Sequence, residues 1–296
     1  MCTITLTLRV KTLDNLYKRA FTLIMQLFTL NRLQHHPFPV ATTLRDSLVL
    51  LYAVDARVLH PYCPPGLELE QVGPYALVAV ATVHATALRL RGTPTWMGRD
   101  FVLTGYRVVV KFRAPDGTVR RALCIIRSDT DSRLMVAGGN VFTEYNYRRA
   151  AIHTTHEGSW YRVQVGPIGG GVALQARARI DGDDDVLPES SPFSSVRQAR
   201  RHTGPLPWTV SHDASLDSFV AVHGHRGSWK PRLVDADVTV CTFFDQPEFV
   251  GQEVRLAAAF YVEVVDYSWD RGILLPAGEA SITGTHSSVE VHDDDV

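Results

Sequence analysis

The chain has 296 residues, of which 45% are hydrophobic, so it is long enough to bury a large core. Its 30 basic and 31 acidic residues give a formal net charge of −1, which argues against the basic surface that nucleic-acid binding requires. The four cysteines, Cys2, Cys63, Cys124 and Cys241, show no C-x-x-C spacing, so neither a zinc knuckle nor a redox dithiol is indicated.

The first predicted element is an amphipathic helix near the N-terminus. From Leu13 to Phe28 apolar residues recur at steps of three and four, which is the helical period. The apolar run within it, Ala20 to Phe28, is about half of the roughly 20 residues that a membrane span requires. We therefore predict a cytoplasmic protein without a membrane partner. A helical extension over residues 1–40 would dock against the domain or mediate homo-oligomerisation.

After this helix the pattern changes to strands. Residues 48–54 and 76–87 are apolar on both faces, as in strands buried on both sides. Residues 102–113 alternate and return through Ala114-Pro115-Asp116-Gly117 as residues 118–127, which predicts a β-hairpin. Further strands are predicted at 145–153, 159–165, 172–180, 219–225, 232–244 and 254–265, and short helices at 133–141 and 194–202.

Many strands with few crossover helices favour an antiparallel sheet stack or barrel over a doubly wound fold. No linker of adequate length divides the strand region. We predict an all-β fold with minor α content, in one domain over residues 41–290.

Several segments of this region resemble one protein family. They are Val54-Asp55, Pro64-Pro65-Gly66-Leu67-Glu68-Leu69, Asp131-Ser132-Arg133-Leu134, Gly138-Gly139-Asn140, Tyr145-Asn146-Tyr147-Arg148 and Gly204-Pro205-Leu206-Pro207-Trp208. In them the chain is similar to the DUF2071 family, bacterial proteins without an assigned activity that belong to the acetoacetate decarboxylase-like superfamily. The resemblance spans roughly residues 45 to 245 and implies a cone-shaped antiparallel β-barrel or double sheet with a pocket inside.

The same resemblance implies that residues 131–141 form a short helix that closes one end of the cone. Asp129 or Asp131 would then accept a hydrogen bond as the helix cap. The pair Gly138-Gly139 would allow close approach of a neighbouring element.

Arg107 is the foremost candidate for a binding residue. It resembles the arginine of a Glu-x-Asn-x-Arg strand common in DUF2071 relatives, but Leu103 and Gly105 occupy the first two positions here, so the partner carboxylate is missing. A guanidinium binds a carboxylate with two hydrogen bonds. Arg107 is therefore predicted to anchor an acidic ligand, or else to form an internal ion pair with Glu144.

The other predicted ligand-binding residues are Asn146, Arg148, Trp160 and Lys230. Glu144, Asn146 and Arg148 alternate along a predicted strand, so their side chains share one face. Alternation does not say whether that face is directed into the pocket or into solvent.

In acetoacetate decarboxylases a lysine forms a Schiff base, and the family pattern is an adjacent Lys-Lys pair. This sequence has no such pair. If the chain is a lyase, Lys111 is the predicted amine, with Lys230 as a second candidate, and Glu144 is the acid/base. Lys111 lies near a hairpin turn, however, where an exposed edge lysine is equally expected.

Three functions therefore stay open. The chain is a lyase or decarboxylase acting on a small organic acid or ketone, a carrier or sensor that binds such a ligand without turnover, or an oligomeric scaffold. No cofactor is predicted.

Two histidines on one strand face, His223 and His225, suggest a metal site, with His84, His212 or Asp213 as candidates for a third ligand. Because pairs of this kind arise by chance among 12 histidines, the sequence predicts no metal site.

Overall fold

The computed structural model describes residues 33–182, 186–203 and 206–282. The N-terminal helix expected at residues 13–28 lies outside these residues, and its role in docking or oligomerisation stays a prediction. Within the described ranges, no helix is long and apolar enough to cross a membrane.

The described elements are mainly strands. The strands are β1 (Val40–Asp55), β2 (Glu68–Leu69), β3 (Gln71–Val72), β4 (Tyr75–Leu90), β5 (Arg99–Arg113), β6 (Val119–Thr130), β7 (Tyr147–Glu157), β8 (Trp160–Pro167), β9 (Leu174–Arg179), β10 (Trp208–Asp213), β11 (Ser218–Arg226), β12 (Arg232–Leu233), β13 (Ala236–Cys241), β14 (Val254–Trp269) and β15 (Ile273–Pro276). The α-helices are α1 (Ala56–Leu59), α2 (Arg133–Phe142), α3 (Val196–His202) and α4 (Ala277–Ala280), and 3₁₀ turns occur at His60–Tyr62, Thr95–Met97, Thr242–Asp245 and Pro247–Phe249.

Seven of these strands pair in a closed ring. Its order is β1, β4, β5, β6, β10, β11, β14 and back to β1. Every pair is antiparallel except β6 with β10. Strand β6 also pairs in parallel with β7, which continues through β8 and β9 to β13 as a second layer. The predicted β architecture is confirmed, although two strand pairs, β6 with β10 and β6 with β7, are parallel.

The long strands of the ring are apolar on both faces because each face packs against a different core. In β1 and β5, Leu50 and Val108 belong to the large core that includes the second layer. Their chain neighbours Leu51 and Val109 point to the opposite face, where Ala199 of α3 packs. Period-two alternation explains why one strand supplies both cores.

Helix α2 begins where the sequence predicts, but its cap is a different residue. The Ser132 hydroxyl accepts a hydrogen bond from the Met135 N–H at 3.2 Å. Asp131 instead accepts from the Val102 N–H at 2.9 Å, and Asp129 pairs with Arg127 at 3.2 Å. Helix α2 is therefore tied to strand β5 by the residue that precedes its cap.

The expectation of close approach holds for one glycine of the pair in α2. A Cβ on Gly139 would lie 2.3 Å from the ring of Tyr147, whereas a Cβ on Gly138 would meet nothing within 4 Å. Gly139 thus lets the helix lie directly on a tyrosine that follows it in the chain.

Candidate functional site

A cavity of about 570 Å³ lies between the sheet and helix α2. Its volume is in the range of sites for small organic ligands. Strands β1, β4, β5, β6, β10 and β14 all contribute to its wall, and α2 covers it. The lining is mainly apolar and includes Val49, Ala79, Ala81, Val83, Phe101, Leu103, Leu123, Ile125, Met135, Phe142, Trp229, Val265 and Trp269.

The charged groups on the described lining are all arginines. Arg107 comes from the middle of β5, and Arg89 and Arg99 come from the ends of β4 and β5. None of the described lining residues is aspartate, glutamate or lysine. The electrostatic character of the cavity is therefore cationic within an apolar wall, which suits an anion with apolar parts.

Arg107 has no hydrogen bond or ion pair with any residue in the described part of the chain, although its half-buried side chain lies in the wall of an apolar cavity. Burial lowers the pKa of this guanidinium, and the nearby Tyr147, Tyr267 and Tyr145 only partly oppose that shift. A cation that is partly removed from water and has no partner is costly. Arg107 is therefore the group in the cavity with the most to gain from an anionic ligand.

Three tyrosines surround Arg107. Burial raises the pKa of Tyr145 and Tyr267 far above the usual range, and raises that of Tyr147 to about 12 although Arg107 acts in the opposite direction. The phenols are consequently neutral and able to donate hydrogen bonds at neutral pH. The Tyr267 hydroxyl donates to the Leu206 carbonyl at 3.2 Å. The Tyr145 hydroxyl has no partner among the described residues.

Two more polar atoms of the cavity wall lack partners in the part of the chain that is described. They are the Ser47 hydroxyl on β1 and Nδ1 of His36. Burial lowers the pKa of His36, so its imidazole favours the neutral form. Buried polar groups in native proteins are nearly always hydrogen-bonded. These atoms, with Tyr145, mark further points where a polar ligand would be satisfied.

Gly105 provides the space in which the Arg107 guanidinium lies. A Cβ at Gly105 would stand 2.7 Å from Nη2 and 2.9 Å from Cζ and Nε of Arg107. Real Cβ atoms do not approach other atoms so closely, so any side chain here forces the guanidinium to move. The absence of a side chain at Gly105 thus sets the position of the cation.

We expect Gly105→Ala to weaken binding of a carboxylate ligand at least tenfold with little change in thermal stability, because the end of a flexible side chain moves at small cost but misplacement weakens its hydrogen bonds. Isothermal titration calorimetry and thermal melting measure both effects. Gly138→Ala is the control, since it adds the same methyl to the cavity wall without contact. Equal affinity in Gly105→Ala and the parent protein would contradict the assigned position of Arg107.

The structure does not place Lys111 or Glu144 with Arg107. Lys111 is four residues further along β5, and its ammonium lies 3.7 Å from Glu68 and 3.9 Å from Glu70. Neither Lys111 nor Glu144 lines the cavity. Glu144 is half-buried near Asp213 and His35, where burial and then the charge of Asp213 raise its pKa. The predicted internal pair of Arg107 with Glu144 is not formed.

The other predicted binding residues also lie away from the cavity. Asn146, Arg148 and Lys230 are exposed, and Asn146 donates to the Ile126 carbonyl at 3.0 Å. Trp160 lies on β8 in the second layer, where the Arg177 guanidinium stands 4.9 Å from its ring. Only Arg107 among the predicted ligand-binding residues lines the cavity.

Sequence reasoning missed the tyrosines next to those residues. Tyr145 and Tyr147 line the cavity, while Asn146 between them has a positive φ of 49° and is exposed. The predicted β-alternation does not extend to Asn146, because strand β7 begins only at Tyr147, and the tyrosines of this Tyr-Asn-Tyr segment are directed into the cavity. Burying the aromatic rings of Tyr145 and Tyr147 stabilises the fold more than burying the polar side chain of Asn146, and this difference favours the tyrosines as the inward residues.

A second polar cluster, away from the cavity, explains the position of Lys111. The buried Glu70 accepts hydrogen bonds from Arg121 Nε at 2.8 Å and His202 Nε2 at 3.0 Å. Burial alone raises the pKa of Glu70, but the hydrogen bond from His202 and the charge of Arg121 outweigh it and bring the pKa to about 2. This cluster joins β2, β5, β6 and α3, so it has a structural role.

The comparison with protein families supports the resemblance noted in the sequence. The model of the DUF2071 family, described as an uncharacterized conserved protein, matches residues 41–259. The chain belongs to the DUF2071 family. None of the curated proteins matches its sequence.

Solved structures with the same fold are acetoacetate decarboxylase-like. An acetoacetate decarboxylase from Legionella pneumophila shares 12% identity at a TM-score of 0.57, over 81% of this chain and 88% of that one. An acetoacetate decarboxylase-like enzyme from Sphingomonas wittichii RW1 shares 13% identity at a TM-score of 0.56, over 80% of this chain and 93% of that one. The enduracididine biosynthesis enzyme MppR, in complex with pyruvate, shares 12% identity at a TM-score of 0.55, over 80% of this chain and 90% of that one. These likenesses establish an acetoacetate decarboxylase-like fold for the DUF2071 chain.

Proposed function

We propose that this DUF2071 chain binds a small organic acid in the cavity, with the carboxylate held by Arg107 and the apolar body of the acid packed against the aliphatic and aromatic wall. The observation that carries the proposal is the guanidinium of Arg107, which has no protein partner among the described residues and is enclosed by an apolar lining. A carboxylate compensates such a cation with two charge-assisted hydrogen bonds.

The surroundings of Arg107 support an acid over a neutral ketone. The neutral hydroxyl of Tyr145 is a free donor, and a carboxylate has more acceptor sites than a carbonyl group. The described wall contains no carboxylate that would repel an anion. MppR, which shares the fold, has been seen with pyruvate, a small organic acid, so the fold accommodates this ligand class.

The test compares acids with their own neutral analogues. We expect hexanoate to bind at least tenfold more tightly than hexanamide, because hydrogen bonds to charged partners contribute about 1.5–3 kcal/mol each. Pyruvate with pyruvamide provides the same comparison for a short 2-oxo acid. Isothermal titration calorimetry of the full chain gives each affinity. Equal binding of acid and amide would show that Arg107 does not recognise the carboxylate, and the proposal would be lost.

A lyase activity is the second candidate, because decarboxylase-like enzymes share the fold. Schiff-base chemistry needs an amine at the ligand. Lys111 is held by Glu68 and Glu70, and neither it nor Lys230 lines the cavity. We therefore favour binding without Schiff-base turnover. A borohydride-trapped adduct with acetoacetate that disappears in Lys111→Ala would reverse this preference.

A further inference from the structure

His223, His225 and Asp270 form a compact cluster that the proposed function does not use. His223 and His225 lie two apart on β11, so their side chains share a face, and their ring centroids are 4.5 Å apart. Asp270 immediately follows β14, which pairs with β11 at this end. One carboxylate oxygen, Oδ2, lies 2.7 Å from His225 Nε2 and 3.7 Å from His223 Nδ1.

The spacing of these atoms is close enough for one metal ion to reach all three. The three ligand atoms lie within 4.8 Å of one another. Around a tetrahedral ion with bonds of about 2.0–2.1 Å, ligand atoms are about 3.3 Å apart. To admit such an ion, the 2.7 Å separation must widen by roughly half an ångström, and any separation near the 4.8 Å limit must narrow by about 1.5 Å. Rotation of the partly exposed side chains can supply both adjustments.

The surroundings hold the three side chains in this arrangement. The backbone N–H of Asp270 donates to the His223 carbonyl at 2.8 Å, which fixes the carboxylate beside the histidines. Arg91 Nη1 lies 2.7 Å from the other oxygen, Oδ1, so Oδ2 is the oxygen directed to the rings. The indole of Trp208 packs on the His223 ring at 4.6 Å. Such supporting contacts orient metal ligands in known sites.

We propose that His223, His225 and Asp270 bind a divalent transition-metal ion of the zinc class. Two imidazoles with one carboxylate suit Zn²⁺, Co²⁺, Ni²⁺ or Cu²⁺ rather than Mg²⁺ or Ca²⁺, which prefer oxygen ligands. The three side chains are about 34%, 51% and 36% exposed, so a fourth coordination position is open to solvent. Three protein ligands with an open position allow an exogenous molecule to bind the ion.

The proposed metal site shares no side chain with the carboxylate site. Arg107 lies on β5, whereas all three ligands come from β11 and the end of β14, and none of them lines the cavity. We therefore expect Arg107 variants to bind metal as the parent does, and variants of the three metal ligands to bind the acid as the parent does.

The test is a titration of the chelator-treated full chain with Zn²⁺ by calorimetry, and with Co²⁺ by visible absorption to detect tetrahedral coordination. We expect one ion per chain, with affinity at least tenfold weaker in His225→Ala and in Asp270→Asn. His156→Ala is the matched control, because it removes an exposed histidine that also faces a carboxylate, Asp46, at 3.3 Å. Both ligand variants should fold, since the side chains are partly exposed, and circular dichroism checks this.

Either of two results, with the parent chain or with His225→Ala, would overturn the metal site. One is the absence of saturable Zn²⁺ binding by the folded parent chain. The other is unchanged affinity in His225→Ala, which would place any bound ion on other residues. A loss in His156→Ala as large as in His225→Ala would equally contradict the assigned ligands.

Discussion

Arg107→Met is expected to make the ligand-free protein more stable than the parent, by about 1–2 kcal/mol, because it removes a half-buried cation that has no partner among the described residues. Methionine fills a similar volume and suits the apolar wall of the cavity. For a domain of this size the gain corresponds to a rise in melting temperature of roughly 2–8 °C. Most core substitutions destabilise, so a rise is a distinctive result.

The control for this prediction is Leu103→Met, which changes shape but not charge on the same strand and the same cavity wall. We expect it to alter stability by less than about 1.5 kcal/mol and not to raise it as Arg107→Met does. A lower melting temperature in Arg107→Met than in Leu103→Met would mean that the guanidinium stabilises the fold, and would remove the argument that it is kept for a ligand.

Glu70→Gln is expected to have the largest effect on stability of any single substitution considered, with a loss of about 3–5 kcal/mol at neutral pH. The substitution leaves Arg121 and His202 without the charge that both face, and His202 is buried. Chemical denaturation measures the change. Glu68→Gln is the matched control, because Glu68 also lies near Lys111 but is 43% exposed, and such surface pairs contribute about 1 kcal/mol or less.

The same cluster predicts a pH dependence. Because the pKa of Glu70 is lowered to about 2 from the ordinary 4.5, its contribution is complete above about pH 4.5 and is lost as the pH falls toward 2. We therefore expect the stability of the parent to fall more steeply below pH 4.5 than that of Glu70→Gln. Parallel curves for the two proteins would contradict the assigned ionic state of Glu70.

Much of the fold was readable from the sequence because the long strands have strong patterns. The hairpin of β5 and β6 is confirmed, and β4 and helix α2 lie within a few residues of the expected bounds. The strand predictions were wrong or incomplete where the hydrophobic pattern is weak. The single strand expected at residues 232–244 is two strands, β12 and β13, since residues 232–233 pair with β14 and residues 236–241 with β9. Strand β10, near a proline-rich segment, was not predicted.

The site was less predictable for a physical reason. Alternation assigns side chains to two faces but does not say which face is directed inward. For residues 144–148 the inward set is Tyr145 and Tyr147, with Asn146 and Arg148 exposed. For Lys111 the limit is distance along the strand. It shares a face with Arg107, but Val109 and its apolar cluster lie between them, and four residues of strand span about 13 Å.

Arg107 was predicted as a binding residue because its expected partner carboxylate is missing from the sequence. The resemblance noted in the sequence implies a carboxylate four residues before this arginine, and Leu103 stands there instead. The structure places both Leu103 and Arg107 on the cavity wall. An arginine that has no carboxylate partner in its own chain indicates an anionic ligand, which overall composition cannot do.

The most direct test of this account is the affinity of hexanoate for the parent chain and for Arg107→Met, measured side by side by calorimetry. Loss of two charge-assisted hydrogen bonds predicts that the variant binds at least a hundredfold more weakly, or about 2.7 kcal/mol, while remaining folded. If the folded variant binds hexanoate as tightly as the parent does, the carboxylate is not recognised at Arg107 and the proposed role of the cavity is wrong.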